Sequence, residues 1–146
     1  MSNVIDYMEW RGDVPFSGSP FNEIDNIILA MSSFVDLSGI VSSDFSAPAV
    51  RFDRAMKYFD KLPDEKKYLG ALIPRAILDI SKIAARCKRY AGIRLCGYVN
   101  DVDEARQMQF AALTLLLPDR SAYVAYRGTD DTIVGWKEDF RLSFMT

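Results

Sequence analysis

The residues best suited to chemistry lie between positions 126 and 140, in the run YRGTDDTIVGWKEDF. A strand that ends in Tyr126-Arg127-Gly128 delivers Thr129 at the turn that follows. A Gly-Thr turn at a strand end leaves a backbone N–H and a hydroxyl in one small space. Two fixed donors there suit the negative oxygen of a tetrahedral intermediate. The same residues also read as an ordinary turn, with Thr129, Asp130 and Asp131 capping a helix, and spacing alone leaves both readings open. Arg127, a long cation at a strand end, is either exposed with no fixed partner or, if buried, needs one. If residues 131–140 fold back as a short helix, Trp136 and Asp139 share a face, so the spacing pairs Arg127 with Asp139 rather than with Glu138. That pairing would hold the turn after Gly128 in shape.

Other chemistry is excluded or thin. The 146 residues contain no histidine, so no imidazole base and no mixed Cys/His zinc site is available. No two of the eight glycines stand four apart, which rules out a Gly-x-Ser-x-Gly nucleophile elbow, and none stand two apart, which rules out the dinucleotide fingerprint. Gly92 and Gly97 have P-loop spacing, but Tyr98 follows where lysine is required. The acids Asp101, Asp103 and Glu104, with Asp130 and Asp131, allow carboxylate or divalent-cation chemistry, although acids in loops mostly make caps and turns. Cys87 and Cys96 read as reduced core residues. No metal or other cofactor is expected.

Charge is balanced, 18 Lys plus Arg against 20 Asp plus Glu, so there is no basic excess for nucleic acid. The cluster Arg86, Lys88 and Arg89, beside Arg75 and Lys82, reads as the wet face of a helix. No apolar run approaches the roughly 20 residues of a membrane span, and residues 1–13 do not resemble a secretion signal. The expected setting is cytoplasmic.

The elements that would position the Gly-Thr turn come in two blocks. Residues 1–92 are mainly helical. Val4 to Trp10 make one or two turns ending near Gly12. Ser19 caps a helix opened by Pro20, with Ile24, Ile27, Ile28, Met31 and Val35 on one face. Ser46 and Pro48 start another, striped by Phe52, Ala55, Met56 and Phe59 and stopped by Pro63. Residues 64–73 form a shorter helical run. Pro74 opens a helix carrying Ile77, Ile80, Ala84 and Cys87, and Gly92 supplies a left-handed cap. Trp10, Phe16 and Phe21 could form a ligand surface, but the reading taken is that they pin the N-terminal arm to the body. From 93 to 146 the period shortens. Residues 95–99 make a short strand. Residues 110–117 and 122–126 pair as a hairpin around Pro118-Asp119-Arg120, and the almost wholly apolar first strand calls for cover on both faces. A sheet that begins this late calls for more strands, so the chain is expected to be the front part of a longer protein.

The stretch Arg127-Gly128-Thr129 … Trp136 … Asp139 resembles the "Arg-Gly-Thr/Ser … Trp … Asp" segment of the class 3 lipases, which are α/β-hydrolases. The whole chain is similar to an uncharacterised bacterial family of lipase-like α/β-hydrolases, through IDYMEWRGD (5–13), PFNEIDNIIL (20–29), YVNDVDEARQMQFAAL (98–113) and AYRGTDDTIVGWKEDF (125–140). The resemblance implies the N-terminal portion of an α/β-hydrolase fold, helices first and then the opening strands of the central sheet. It implies Thr129 as the oxyanion-hole residue and Gly128 as the point of close backbone approach. Ile133, Val134 and Trp136 fall where class 3 lipases place a mobile lid. The family's nucleophile, acid and histidine lie later than this sequence reaches. The implied function is the N-terminal fragment of a serine ester or acyl hydrolase, inactive alone, whose complete form takes a small-molecule ester or acyl substrate. Such a fragment is expected to self-associate. Two other readings stay open: a self-contained helical interaction module, and a histidine-free carboxylate enzyme.

Overall fold

The computed structural model describes residues 2–63, 75–103, 105 and 108–128. Among these are five α-helices and a four-stranded sheet. α1 spans Ser2–Arg11, α2 Glu23–Met31, α3 Phe52–Asp60, α4 Arg75–Arg86 and α5 Lys88–Ala91. β1 is Val50–Arg51, β2 Arg94–Asp103, β3 Met108–Leu116 and β4 Ala122–Arg127. The sheet runs β1-β2-β3-β4 in space, and every neighbouring pair is antiparallel.

Each helix follows from its pattern. α3 buries Phe52, Ala55, Met56 and Phe59, the three- and four-residue repeat of one apolar face. α4 buries Ile77, Ile80 and Ala84 in the same way, and Cys87 follows it half-buried. α1 ends where expected, with Gly12 N–H bonded to Met8 O at 2.8 Å. The start of α2 differs from expectation. Its cap is Asn22, not Ser19, because Asn22 Oδ1 accepts from the N–H groups of Ile24 and Asp25 and Asp25 Oδ2 accepts back from Asn22 N–H. That reciprocal box satisfies more orphan donors than a serine before proline does. Pro20 therefore precedes the helix. Gly92 is also not a left-handed cap. Its φ is −88°, and the chain leaves α5 in right-handed geometry straight into Ile93.

The helices cover one face of the sheet. That face buries Leu95, Tyr98, Ala111, Leu113, Leu115 and Ala125 against Ile28, Phe34, Phe52 and Ile80. On the other face Val99, Phe110, Val124 and Tyr126 are exposed. The expected cover on both faces of β3 is thus not met by the described residues. The hairpin forms as read, with Leu116 opposite Ala122 and Ala111 opposite Arg127. β2 is twice the length anticipated, ten residues.

Its extra length hides a parity change. Cys96 faces Thr114 but Val99 faces Ala112, so β2 carries one extra residue between them. Gly97, at φ +59°, takes the left-handed conformation this bulge requires. Side chains alternate along a strand, so one inserted residue moves all that follow to the opposite face. The bulge is what turns Tyr98 and Asn100 toward the helices together with Leu95.

The cluster read as a wet helix face divides. Arg86 and Lys88 are exposed, and Lys82 pairs with Asp60 at 3.3 Å. Arg89 is buried. The helix breaks at Cys87, which rotates α5 so that Arg89 points inward. There it meets Asp25 and the carbonyls of residues 14, 19 and 20. Phe16 lies under its guanidinium at 4.1 Å and stacks on Phe21, so those two rings do pin the arm. Trp10 does not, being 75% exposed. The helical run expected over 64–73 lies outside the described residues.

Candidate functional site

β4 and β2 run in the same direction, two strands apart, and both lead to the same end of the sheet. Asn100, Ala111 and Arg127 form one row across β2, β3 and β4. Ala111 is fully buried and offers only a methyl group. Arg127 therefore lies across it, and its Nη2 donates to Asn100 Oδ1 at 2.9 Å. The Arg127 side chain is buried, and its Nε has no partner among the described residues. Arg127 is thus neither solvent-exposed nor unpartnered. The Asp139 side of the expected pair lies outside the described residues.

Beside this row sits Tyr98, whose backbone N–H bonds to Ser42 O at 3.1 Å. Its hydroxyl faces Asp36 at a long 3.5 Å. Burial, and then the Asp36 carboxylate, push the Tyr98 phenol up to about 12, against a smaller opposing pull from the Arg127 charge. Tyr98 therefore stays a neutral donor at neutral pH. Asp36 is held in turn by the Ser38 N–H and hydroxyl at 3.1 and 2.6 Å. Gly39, at φ +78°, lets the chain reverse directly afterwards.

Between these elements opens a groove of about 640 Å³, walled by residues 38–43 on one side and by Tyr98, Val99 and Asn100 on the other. Its size falls within the range of small-molecule sites. A Cβ placed on Gly128 would meet no atom of the described residues within 4 Å.

Of the residues singled out from sequence, Arg127 and Gly128 are placed at this end of the sheet. Thr129, Ile133, Val134, Trp136 and Asp139 lie outside the described residues. Asp101 is exposed, and no group of three or more acids and cysteines able to hold a metal occurs among the described residues. Cys87 and Cys96 are free thiols, both raised above the ordinary range chiefly by burial, which disfavours a nucleophilic thiolate. Sequence reasoning missed Asn100, Tyr98 and Asp36. The available signal was Gly97 inside a strand pattern, which marks a bulge and hence a change of face.

Residues 84–146 match the family model described as Mbeg1-like. The match takes in the end of α4, α5 and β2 to β4, and so every strand residue that lines the groove. Among curated proteins none matches the chain, and none does among solved structures.

Proposed function

We propose that this chain is the N-terminal part of a lipase-like serine acyl hydrolase, and that the turn leaving β4 forms one arm of its oxyanion hole. The observation that supports the reading is the end of β4. Among the described residues Arg127 is fixed inward on Asn100 and nothing crowds a Cβ built on Gly128, so the strand that precedes Thr129 in the sequence is anchored at its last residue. A preorganised donor at such a point stabilises the oxyanion of acyl transfer because it needs no rearrangement as charge develops. The nucleophile, its base and the orienting acid would come from residues beyond this sequence, and so would the second oxyanion donor, the N–H after the nucleophile. The substrate would be a small-molecule ester or other acyl compound.

The test has two arms. The reading frame that follows codon 146 should encode Gly-x-Ser-x-Gly, and its product should be labelled by a fluorophosphonate at that serine. In that product Thr129→Ala should lower kcat by about 10²–10³. The 146-residue chain alone should hydrolyse p-nitrophenyl acetate no faster than a blank. Turnover by the chain itself that survives Thr129→Ala would replace this reading with the carboxylate enzyme. A stop codon with no elbow would favour a helical interaction module. Something already favours that second reading: the helical core closes on itself, with Arg89 and Tyr90 both bonded to Asp25 inside it.

A further inference from the structure

We propose that Asn100 is a specificity residue of the groove, presenting its carboxamide N–H groups to an acceptor oxygen on a short polar ester, and that Arg127 is the residue that positions it. The ester class rests on the acyl-hydrolase reading; the binding role of Asn100 does not.

The argument starts from what a guanidinium can do. Arg127 has only donors, so the Asn100 atom that meets it at 2.9 Å must be the carbonyl oxygen. This fixes the amide the right way round, which contacts alone often leave ambiguous. With Oδ1 committed, the Nδ2 group has no partner among the described residues, and Asn100 lines the groove. Two N–H donors are thus held at a cavity wall by a buried cation. The charge behind the carbonyl also polarises the amide and strengthens its donors.

The rest of the lining agrees. Ser38, Ser42 and Ser43 are polar lining residues, and among the described residues no lysine or arginine lines the groove. A groove built this way suits neutral oxygen acceptors rather than a free anion. A long alkyl chain would strip water from the three serines and from the Asn100 amide without replacing those hydrogen bonds, which opposes its binding. The groove also lies two strand spacings from the β4 exit, roughly 9–10 Å, about the span of a small ester. Asn100 occupies its place only because of the bulge at Gly97.

The test is binding to the 146-residue chain by ¹⁵N-resolved NMR, with glyceryl triacetate as the acceptor-rich probe and methyl hexanoate as the apolar one. Triacetate should shift the Asn100 side-chain amide and the backbone amides of Ser42 and Ser43, saturably. Methyl hexanoate should not. Asn100→Asp keeps an acceptor for Arg127 but has no donor for the groove, so it should weaken triacetate binding by tenfold or more while the Arg127 side-chain signals persist. Arg127→Met should weaken it comparably, and the double variant should be no worse than either single one, since the two act as a unit. Unchanged affinity in Asn100→Asp, shifts centred elsewhere, or equal binding of methyl hexanoate would each overturn the proposal. None of these readouts involves turnover. A missing nucleophile elbow downstream would therefore sink the hydrolase reading and the ester class with it but leave the binding role of Asn100 standing, while failure of that binding would leave the hydrolase reading standing.

Discussion

Arg89 closes on Asp25 with a two-pronged grip, Nε on Oδ1 at 2.9 Å and Nη2 on Oδ2 at 2.6 Å, and neither side chain is exposed to solvent. The Tyr90 hydroxyl donates to the same carboxylate at 2.6 Å, and the Asn22 N–H at 2.9 Å. The remaining guanidinium donors go to the carbonyls of Val14, Ser19 and Pro20. The pair is therefore the clasp that holds residues 14–20 against the helical core. Asp25→Ala leaves a buried cation with no counter-charge and should cost about 3–5 kcal/mol. Arg89→Lys should also be costly, because an ammonium cannot form the fork and reach three carbonyls together. Urea unfolding measures both. A loss below about 1 kcal/mol for Asp25→Ala would place the pair with exposed surface bridges and refute the clasp.

What could be read from the sequence divides along physical lines. Period carried the apolar faces of α2, α3 and α4 and the hairpin, since an apolar face must repeat with its element whatever surrounds it. Caps were harder. Ser19-Pro20 has the right chemistry for a helix start, yet the Asn22–Asp25 box three residues on satisfies more donors. Arg89 was misread because a run of charges carries no information about which member turns inward. The break at Cys87 decides that. On the site side, Arg127 and Gly128 were legible as the end of a strand. Asn100 was not, because its face depends on one inserted residue at Gly97, and a parity change is invisible to a simple alternation count.

Gly97 should therefore resist substitution for a backbone reason. A Cβ at this φ of +59° would also run into the Phe45 ring. Phe45 is 67% exposed, so the ring can swing away at little cost. The left-handed backbone cannot be relieved so easily and costs roughly 1–2 kcal/mol for a residue with a Cβ. Gly97→Ala is expected to lose about that much stability, and Phe45→Ala in the same chain should restore less than half of it. Full rescue by Phe45→Ala would show that the ring, not the bulge, imposes glycine.

The face of the sheet that the described residues leave uncovered makes a prediction about association. Phe110 and Tyr126 touch there, with ring centroids 6.0 Å apart, and Val99 and Val124 are exposed beside them. Within the described sheet β4 is also an edge strand, and an apolar edge invites pairing with another chain. The purified 146-residue chain should self-associate in a concentration-dependent way by light scattering. Val124→Lys, which places a charge on that face and edge, should shift the population toward monomer. A monodisperse parent chain with a cooperative melt would contradict this and support the self-contained module.

Tyr98 gives the chain a specific weakness at high pH. Its phenol is raised from the ordinary value of 10.0 to about 12 by burial and then by the Asp36 charge, and it is only 4% exposed. In the unfolded chain the phenol ionises near the ordinary value, so between the two pKa values the unfolded state binds fewer protons than the folded one. Stability then falls as pH rises. The contribution is fully present below about pH 10 and is lost progressively toward about pH 12, at up to ~1.4 kcal/mol per pH unit. Tyr90 and Tyr123 are also raised by burial, so the wild-type curve alone would not isolate Tyr98. The difference between wild type and Tyr98→Phe does, because the other groups cancel. That difference should stay flat up to about pH 10 and then shift against wild type by ~1.4 kcal/mol per unit, read from urea midpoints in glycine and phosphate buffers. A difference that does not change with pH across the window would mean that the folded Tyr98 ionises like a solvated phenol, and that its burial beside Asp36 is wrong.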